Sequence, residues 1–338
     1  MAIRKWMVVA SLALVAVVAL TVASVGSAKQ TATEKFRVAL VTDIGGLNDK
    51  GFNASAYAGL KRAQASLGVD GRVFISKSAA DYIPNLSTGA TQGYDMVIAV
   101  GFLMSDSTAA VAKRFPKTKF AIVDVSAPFM KGKPKNARGI VFAEQEAGCL
   151  AGVAAATVSK TNVISSVGGL KIPPVDAFIA GYQFCAKKVK TSITTLNGYS
   201  QDFVAQDKCK EVALQQMGEE SDVVFQVAGG CGLGALQGAK QQKKWGIGVD
   251  TDQGFLGNHV LTSATKKVDV GVFTTIQLGK SKAWKGGVDS LFNVKNKGVG
   301  YGQVSKTAPN RAALIGKLNL WSRNLASGKV KPPRTVKG

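Results

Sequence analysis

Residues 38–53, VALVTDIGGLNDKGFN, read as a strand that ends in a polar, glycine-hinged loop and then opens a helix. Val38, Ala39, Leu40 and Val41 form the short apolar run that a parallel strand buried on both faces requires. Gly45 and Gly46 free the backbone, Asn48 and Asp49 offer capping and ligand oxygens, and Phe52 sets a flat ring ahead of the helix predicted over 54–67. Open parallel sheets bind ligands in the crevice beyond the carboxyl ends of their strands, and this loop stands at such an end. The same residues also suit a capped strand-to-helix turn with Phe52 in the core.

Further apolar runs at 73–76, 96–100, 120–125, 163–167, 192–196, 223–227 and 246–249 alternate with amphipathic or alanine-rich stretches. That alternation argues for parallel sheets covered by helices on both faces. The series occurs twice, before and after the glycine- and lysine-rich stretch 131–139, which marks a lobe boundary. Segments 268–292 and 300–304 follow the second series and are expected to return to the first lobe. Two doubly wound lobes joined by several crossings make a hinged cleft. The organisation expected is a leader at 1–28, an N-terminal lobe at 36–141 and 267–305, and a C-terminal lobe at 142–266 and 306–334.

Arg4 and Lys5 precede an uncharged apolar stretch, 6–23, that ends in small residues, the pattern of a secretory signal peptide. Gly26, Ser27 and Ala28 suit cleavage after Ala28; an uncleaved membrane anchor is the other reading. The mature chain of about 310 residues exceeds a usual single core and predicts two domains. Its charge is strongly basic, with 43 Lys and Arg against 21 Asp and Glu and a net charge of +22. The lysines are spread over turns and the tail 329–337 without interleaved aromatic residues, which argues against a nucleic-acid track and for general surface basicity beside an anionic envelope.

Export turns the four cysteines, all between Cys149 and Cys231, into disulfide candidates. Three pairings exist. Closure of a helix onto the following turn makes Cys209–Cys231 the most local bridge and leaves Cys149–Cys185. No CxxC pair is present and the lone His259 is distant, so neither a metal site nor a bound cofactor is expected.

Several strands end in ligand-binding residue types. Asp124 closes the run 120–125, and Asp250 and Asp252 follow Gly248 and Val249. A strand-end carboxylate can accept both hydroxyls of a vicinal diol, or cap a helix, or pair with a lysine. The turn Gly229-Gly230-Cys231-Gly232-Leu233-Gly234 precedes a helix and has Asp250 twenty residues after Gly230, but its GxGxG spacing departs from a dinucleotide fingerprint. Close packing of backbone explains such glycines equally well.

Taken together, TDIGGLNDKGFN, VIAVGF, FAIVDV, FAEQEAGCLAG, VGGLKIPPVDAFIAGY, VVFQVAGGCG, GIGVDTDQ and VLTSATKKVD resemble, in order and spacing, the basic membrane protein family of solute-binding proteins for ABC transporters. That resemblance implies a type I periplasmic-binding-protein fold and an ABC permease as partner. Because studied members include purine-nucleoside binders, it also implies that Phe52 and Phe203 sandwich a purine, where stacking contributes about 1–3 kcal/mol per base. Asn48, Asp49 and Asp124 would then bond base or ribose from the first lobe. Asp250 would hold ribose hydroxyls, Gly230 would admit backbone approach, and Lys266 would bond the sugar while pairing with Asp250. No cysteine stands near the leader's end, so the lipid anchor common in the family is not expected; the protein is expected outside the cytoplasm as a monomer. The competing reading is a nucleoside-hydrolysing enzyme that uses Asp49, Asp250 and Asp252 around a divalent cation, but the acid/base equipment for it is missing.

Overall fold

The computed structural model describes residues 34–336. The predicted leader at 1–28, with its cleavage point and its alternative as an anchor, lies outside the described residues. The strands of the first half are β1 (Arg37–Val41), β2 (Asp70–Phe74), β3 (Met96–Ala99), β4 (Lys119–Val123) and β5 (Ala137–Phe142). Those of the second half are β6 (Val163–Gly168), β7 (Thr194–Tyr199), β8 (Val223–Val227), β9 (Trp245–Asp250) and β10 (Val260–Lys266), followed by β11 (Asp289–Phe292) and β12 (Val299–Tyr301). The helices are α1 (Phe52–Leu67), α2 (Tyr82–Thr91), α3 (Ser105–Arg114), α4 (Glu144–Val158), α5 (Pro173–Val189), α6 (Gln206–Gly218), α7 (Gly232–Gln241), α8 (Val268–Lys280) and α9 (Arg311–Ala326).

Two six-stranded sheets result, ordered β11-β5-β4-β3-β1-β2 and β12-β10-β9-β8-β6-β7. All neighbours are parallel except β12, which runs antiparallel to β10. Strand periodicity explains the two-sided covering. Val38 and Leu40 face Leu60 of α1 and Ile276 of α8, while Ala39 and Val41 face Leu86 of α2 and Val111 of α3. In the second sheet Val223 and Phe225 pack with Ile179 and Tyr182 of α5, and Val224 packs with Ala213 of α6 and Ala235 of α7. The fold is α/β with two doubly wound lobes, as expected.

Helices α4 and α5 approach closely, because a Cβ at Gly148 or Gly152 would run into the carbonyl of Phe178 or Tyr182. The Cys149–Cys185 bridge staples this pair, and Cys209–Cys231 ties α6 to the turn before α7, with Cα separations of 5.0 and 5.5 Å. Both disulfides have the predicted pairing.

The structure moves several predicted boundaries. The edge strands β2 and β7 are displaced from 73–76 and 192–196, since half-solvated edge strands carry little apolar signal to mark their ends. Residues 131–139 do not separate the lobes, because β5 starts at Ala137 and pairs with β4. The chain crosses instead at Ala143, at Lys267, and between β11 and β12. Segment 268–292 returns to the first sheet through α8 and β11, but 300–304 does not, since β12 pairs with β10 of the second.

Candidate functional site

The carboxyl ends of the strands in both sheets open onto one cavity. The loop after β1 contributes Asp43, Gly45, Asp49, Phe52 and Asn53, and the ends of β3 and β4 contribute Gly101 and Asp124. Across the cavity stand Phe178 of α5, Phe203 after β7, Gly229 and Gly230 after β8, Asp250 of β9 and Lys266 of β10.

Between β1 and the first turn of α1 the polar side chains satisfy one another. The Asp49 carboxylate accepts the backbone N–H groups of Gly51 (3.0 Å), Asn53 (2.6 Å) and Ala54 (3.1 Å), so it caps the start of α1. Asn53 Nδ2 donates to both Asp49 (3.2 Å) and Asp43 (2.7 Å), and the Asp43 carboxylate also accepts the Gly45 N–H (2.9 Å). Burial pushes the Asp43 carboxyl up to about 6 against these bonds, and it raises Asp49 in the same direction. The loop is therefore a rigid, hydrogen-bonded cradle that carries Phe52 at its end.

A second set of charges joins the two lobes. Lys266, at the end of β10 and 2 % exposed, places Nζ 2.8 Å from Asp124, 3.8 Å from Glu144 and 4.0 Å from Asp250. Nζ also lies 4.8 Å from the Phe52 ring centroid and 5.4 and 5.5 Å from those of Phe142 and Phe178, faces that favour a cation. Burial alone would lower the Lys266 ammonium, but Asp124, Asp250 and Glu144 hold it above the usual lysine range. Burial pushes the Asp250 carboxyl up to about 7, Lys266 opposing and Asp124, Asp49 and Glu144 adding to the rise.

Asp124 and Asp250 occupy corresponding places, at the carboxyl end of the third strand of each sheet order, and both have left-handed backbone with φ of 68° and 63°. Non-glycine residues rarely adopt that conformation, and where they do it is held by surrounding structure, often at ligand sites. The buried Oδ1 of Asp124 has no hydrogen-bond partner among the described residues, nor does any donor there bond the Asp250 carboxylate. Two buried acceptors thus stand ready for donors that the protein itself does not supply.

The cavity's remaining wall is apolar and backbone-lined. Phe203 packs on Gly169 and accepts the Cys231 N–H through its carbonyl (3.0 Å), which brings the turn Gly229-Gly230 beside its ring. Gly229 has φ of 54°, where a side chain would be strained. The lobes also meet directly: the Lys50 carbonyl accepts Thr251 Oγ1 (3.1 Å) and Gln253 Nε2 (3.3 Å).

Of the residues singled out from sequence, Asp49, Phe52, Asp124, Phe203, Gly230, Asp250 and Lys266 come together around this cavity. Asn48 does not; it is exposed beside the loop. The closest partner of Lys266 is Asp124 rather than Asp250, because β10 ends facing across the cleft toward the tip of β4. Asp252 turns away as well, its carboxylate accepting Gly254 and Gln303 N–H groups. Asp43, Asn53 and Glu144 went unremarked in the sequence, although Asp43 shares the strand-end position of Asp124 and Asp250. No group of three or more His, Cys, Asp or Glu side chains suited to a metal occurs among the described residues.

Comparison with known proteins gives a match over residues 36–319 to the family model "Bmp: ABC transporter substrate-binding protein PnrA-like". The chain is 37 % identical over 300 residues to the ABC transporter nucleoside-binding protein BmpA of Lactococcus lactis, covering 82 % of this chain and 84 % of that protein. Basic membrane protein A of Borreliella burgdorferi is 32 % identical over 272 residues, covering 78 % of each chain. Among solved structures, a solute-binding protein of an ABC transporter system from Aeropyrum pernix superposes with a TM-score of 0.78 at 23 % identity, covering 88 % of this chain and 92 % of that one.

Proposed function

The chain belongs to the PnrA-like Bmp family of ABC transporter substrate-binding proteins, and from that premise we propose that its cavity takes a purine nucleoside and delivers it unaltered to a membrane permease. The observation that carries this reading is a pair of carboxylates on one cavity: Asp124, whose Oδ1 is unpartnered, and Asp250, whose carboxylate meets no hydrogen-bond donor among the described residues. A ribose offers the two adjacent hydroxyl donors such acceptors require, with Lys266 holding the site's charge balance. The base then lies against Phe52 and Phe203, two apolar rings that line the same space. A nucleoside-binding relative supports the same class of ligand.

The protein works on this reading as an extracytoplasmic monomer, exported by the segment 1–28. Two disulfides suit an oxidising compartment, and no described helix is long and apolar enough to cross a membrane. Hydrolysis of the nucleoside is the weaker reading, since the carboxylate of Asp252 is taken up by Gly254 and Gln303.

Calorimetric titration with nucleosides, free bases, sugars and amino acids tests the proposal. Nucleosides should bind and be recovered intact, and at about a thousand times the dissociation constant they should stabilise the protein by about 4 kcal/mol. Heat from a sugar or an amino acid and none from nucleosides would leave the family role standing and remove the purine from it. Release of free base during the titration would favour the enzyme.

A further inference from the structure

Arg334 lies in the irregular segment after α9, outside the residues that line the cavity. Its guanidinium nevertheless reaches the cavity's charge cluster from behind. Nη2 stands 2.7 Å from Glu144 Oε2, and Nη1 donates to Gln145 Oε1 at 2.7 Å and to the Phe142 carbonyl at 3.2 Å. These partners flank Ala143, where the chain crosses from the first sheet to the second. The Glu144 side chain is only 2 % exposed, and its other oxygen, Oε1, lies 3.8 Å from Lys266 Nζ.

The consequence is a competition for one buried ammonium. Asp124, Glu144 and Asp250 all surround Lys266, and among the described residues only Glu144 of these three has a second cation in contact. With its outer oxygen held by the planar fork of an arginine, Glu144 makes a weaker claim on Lys266, whose short bond goes to Asp124. Removing Arg334 would leave Glu144 buried with Lys266 as its one counter-charge among the described residues, a costly arrangement that draws the ammonium toward α4 and away from Asp124 and Asp250.

We propose that Arg334 is a positioning residue for the cavity: by holding Glu144 from outside, it keeps Lys266 on Asp124 and so sets ligand affinity through a residue that touches no ligand. The affinity part rests on the nucleoside reading; the placement of Lys266 does not.

The test uses Arg334→Gln, Arg334→Lys, Glu144→Gln and the double variant Glu144→Gln/Arg334→Gln. Arg334 is half exposed, so its variants should fold. In ligand-free protein the Lys266 Nζ and Asp124 carboxyl NMR resonances should move in Arg334→Gln and return toward their original positions in Arg334→Lys. Calorimetry with the tightest-binding nucleoside should show affinity falling about three- to tenfold in Arg334→Gln, with that loss absent when Glu144 is already Gln. Unmoved resonances in ligand-free Arg334→Gln would overturn the proposal whatever ligand the protein takes. A loss of affinity undiminished in the Glu144→Gln background would overturn it too, since Arg334 would then act through something other than Glu144. Failure of the unsubstituted protein to bind any nucleoside would count against the purine alone, with the resonances still deciding the role of Arg334.

Discussion

Asp49 in the first lobe accepts four N–H groups from its own loop, while Asp250 in the second accepts none from the described residues. Asp49 follows β1 and Asp250 ends β9, and both face the same cavity. The first lobe thus uses Asp43 and Asp49 to build a rigid loop and leaves only an oxygen of Asp124 open, whereas Asp250 of the second lobe is open altogether. Covalent bracing follows the same division: both disulfides lie in the second lobe, where one of them ties α6 to the glycine turn at the cavity wall.

The largest test of this contrast removes the ion that joins the two sides. Lys266→Met strands Asp124, Glu144 and Asp250 together in a buried site, and urea unfolding should register a loss of about 3–5 kcal/mol. A loss below about 1 kcal/mol would mean that the carboxylates hold protons and that no such joint exists.

Bracing comes next. Replacing Cys149 and Cys185, or Cys209 and Cys231, by alanine should cost about 2–4 kcal/mol per pair. Hydrogen exchange should lose protection in α4–α7 while β1–β5 keep theirs. Equal loss in both lobes would show that they open as one unit and would dissolve the distinction between them.

Paired substitutions separate building from binding. Asp250→Asn should weaken nucleoside binding roughly 10- to 100-fold and leave the fold intact, whereas Asp49→Asn should cost about 1.5–3 kcal/mol of stability by loosening its charged hydrogen bonds. Calorimetry and thermal melts on the same two variants read both effects. Interchanged results would reverse the roles assigned to the lobes.

The smallest effect is a pH slope. Asp250 and Asp43 have carboxyls raised to about 7 and about 6, so the folded state holds their protons more tightly than the unfolded chain does. The stability this contributes is complete below pH 4 or so and is lost as pH rises through about 7. Ligand-free protein should therefore be less stable at pH 8 than at pH 5, by on the order of 1–3 kcal/mol, with a shallower slope in Asp250→Asn. Nucleoside affinity should run the other way, because the ribose contact uses the ionised form.

Much of this was legible in the chain because its signals are local. The run 38–41, the polar loop behind it and the Asp residues at strand ends mark the carboxyl edge of a sheet without any knowledge of what packs on it. Helix-to-turn closure was enough to pair Cys209 with Cys231 and hence Cys149 with Cys185. The edge strands were misplaced because their exposed residues carry no apolar pattern, and 300–304 was put in the wrong lobe because the partner of a three-residue strand is not written in its own residues.

The sequence by itself therefore determined the α/β alternation, the two lobes and the residue types that edge the cleft, since periodicity and strand-end chemistry depend on neighbours along the chain. Tertiary structure alone decided which charges meet. Lys266 reaches Asp124 across 142 residues of sequence, and Arg334 reaches Glu144 across 190, because the sheet order and the crossings at Ala143 and Lys267 bring those segments together. Asn48 fell outside the cavity and Asn53 inside it for a related reason: the bonds that fold the loop around Asp49 choose which side chains turn inward. An ion pair's energy depends on distance and burial, and neither quantity is written in spacing along a chain.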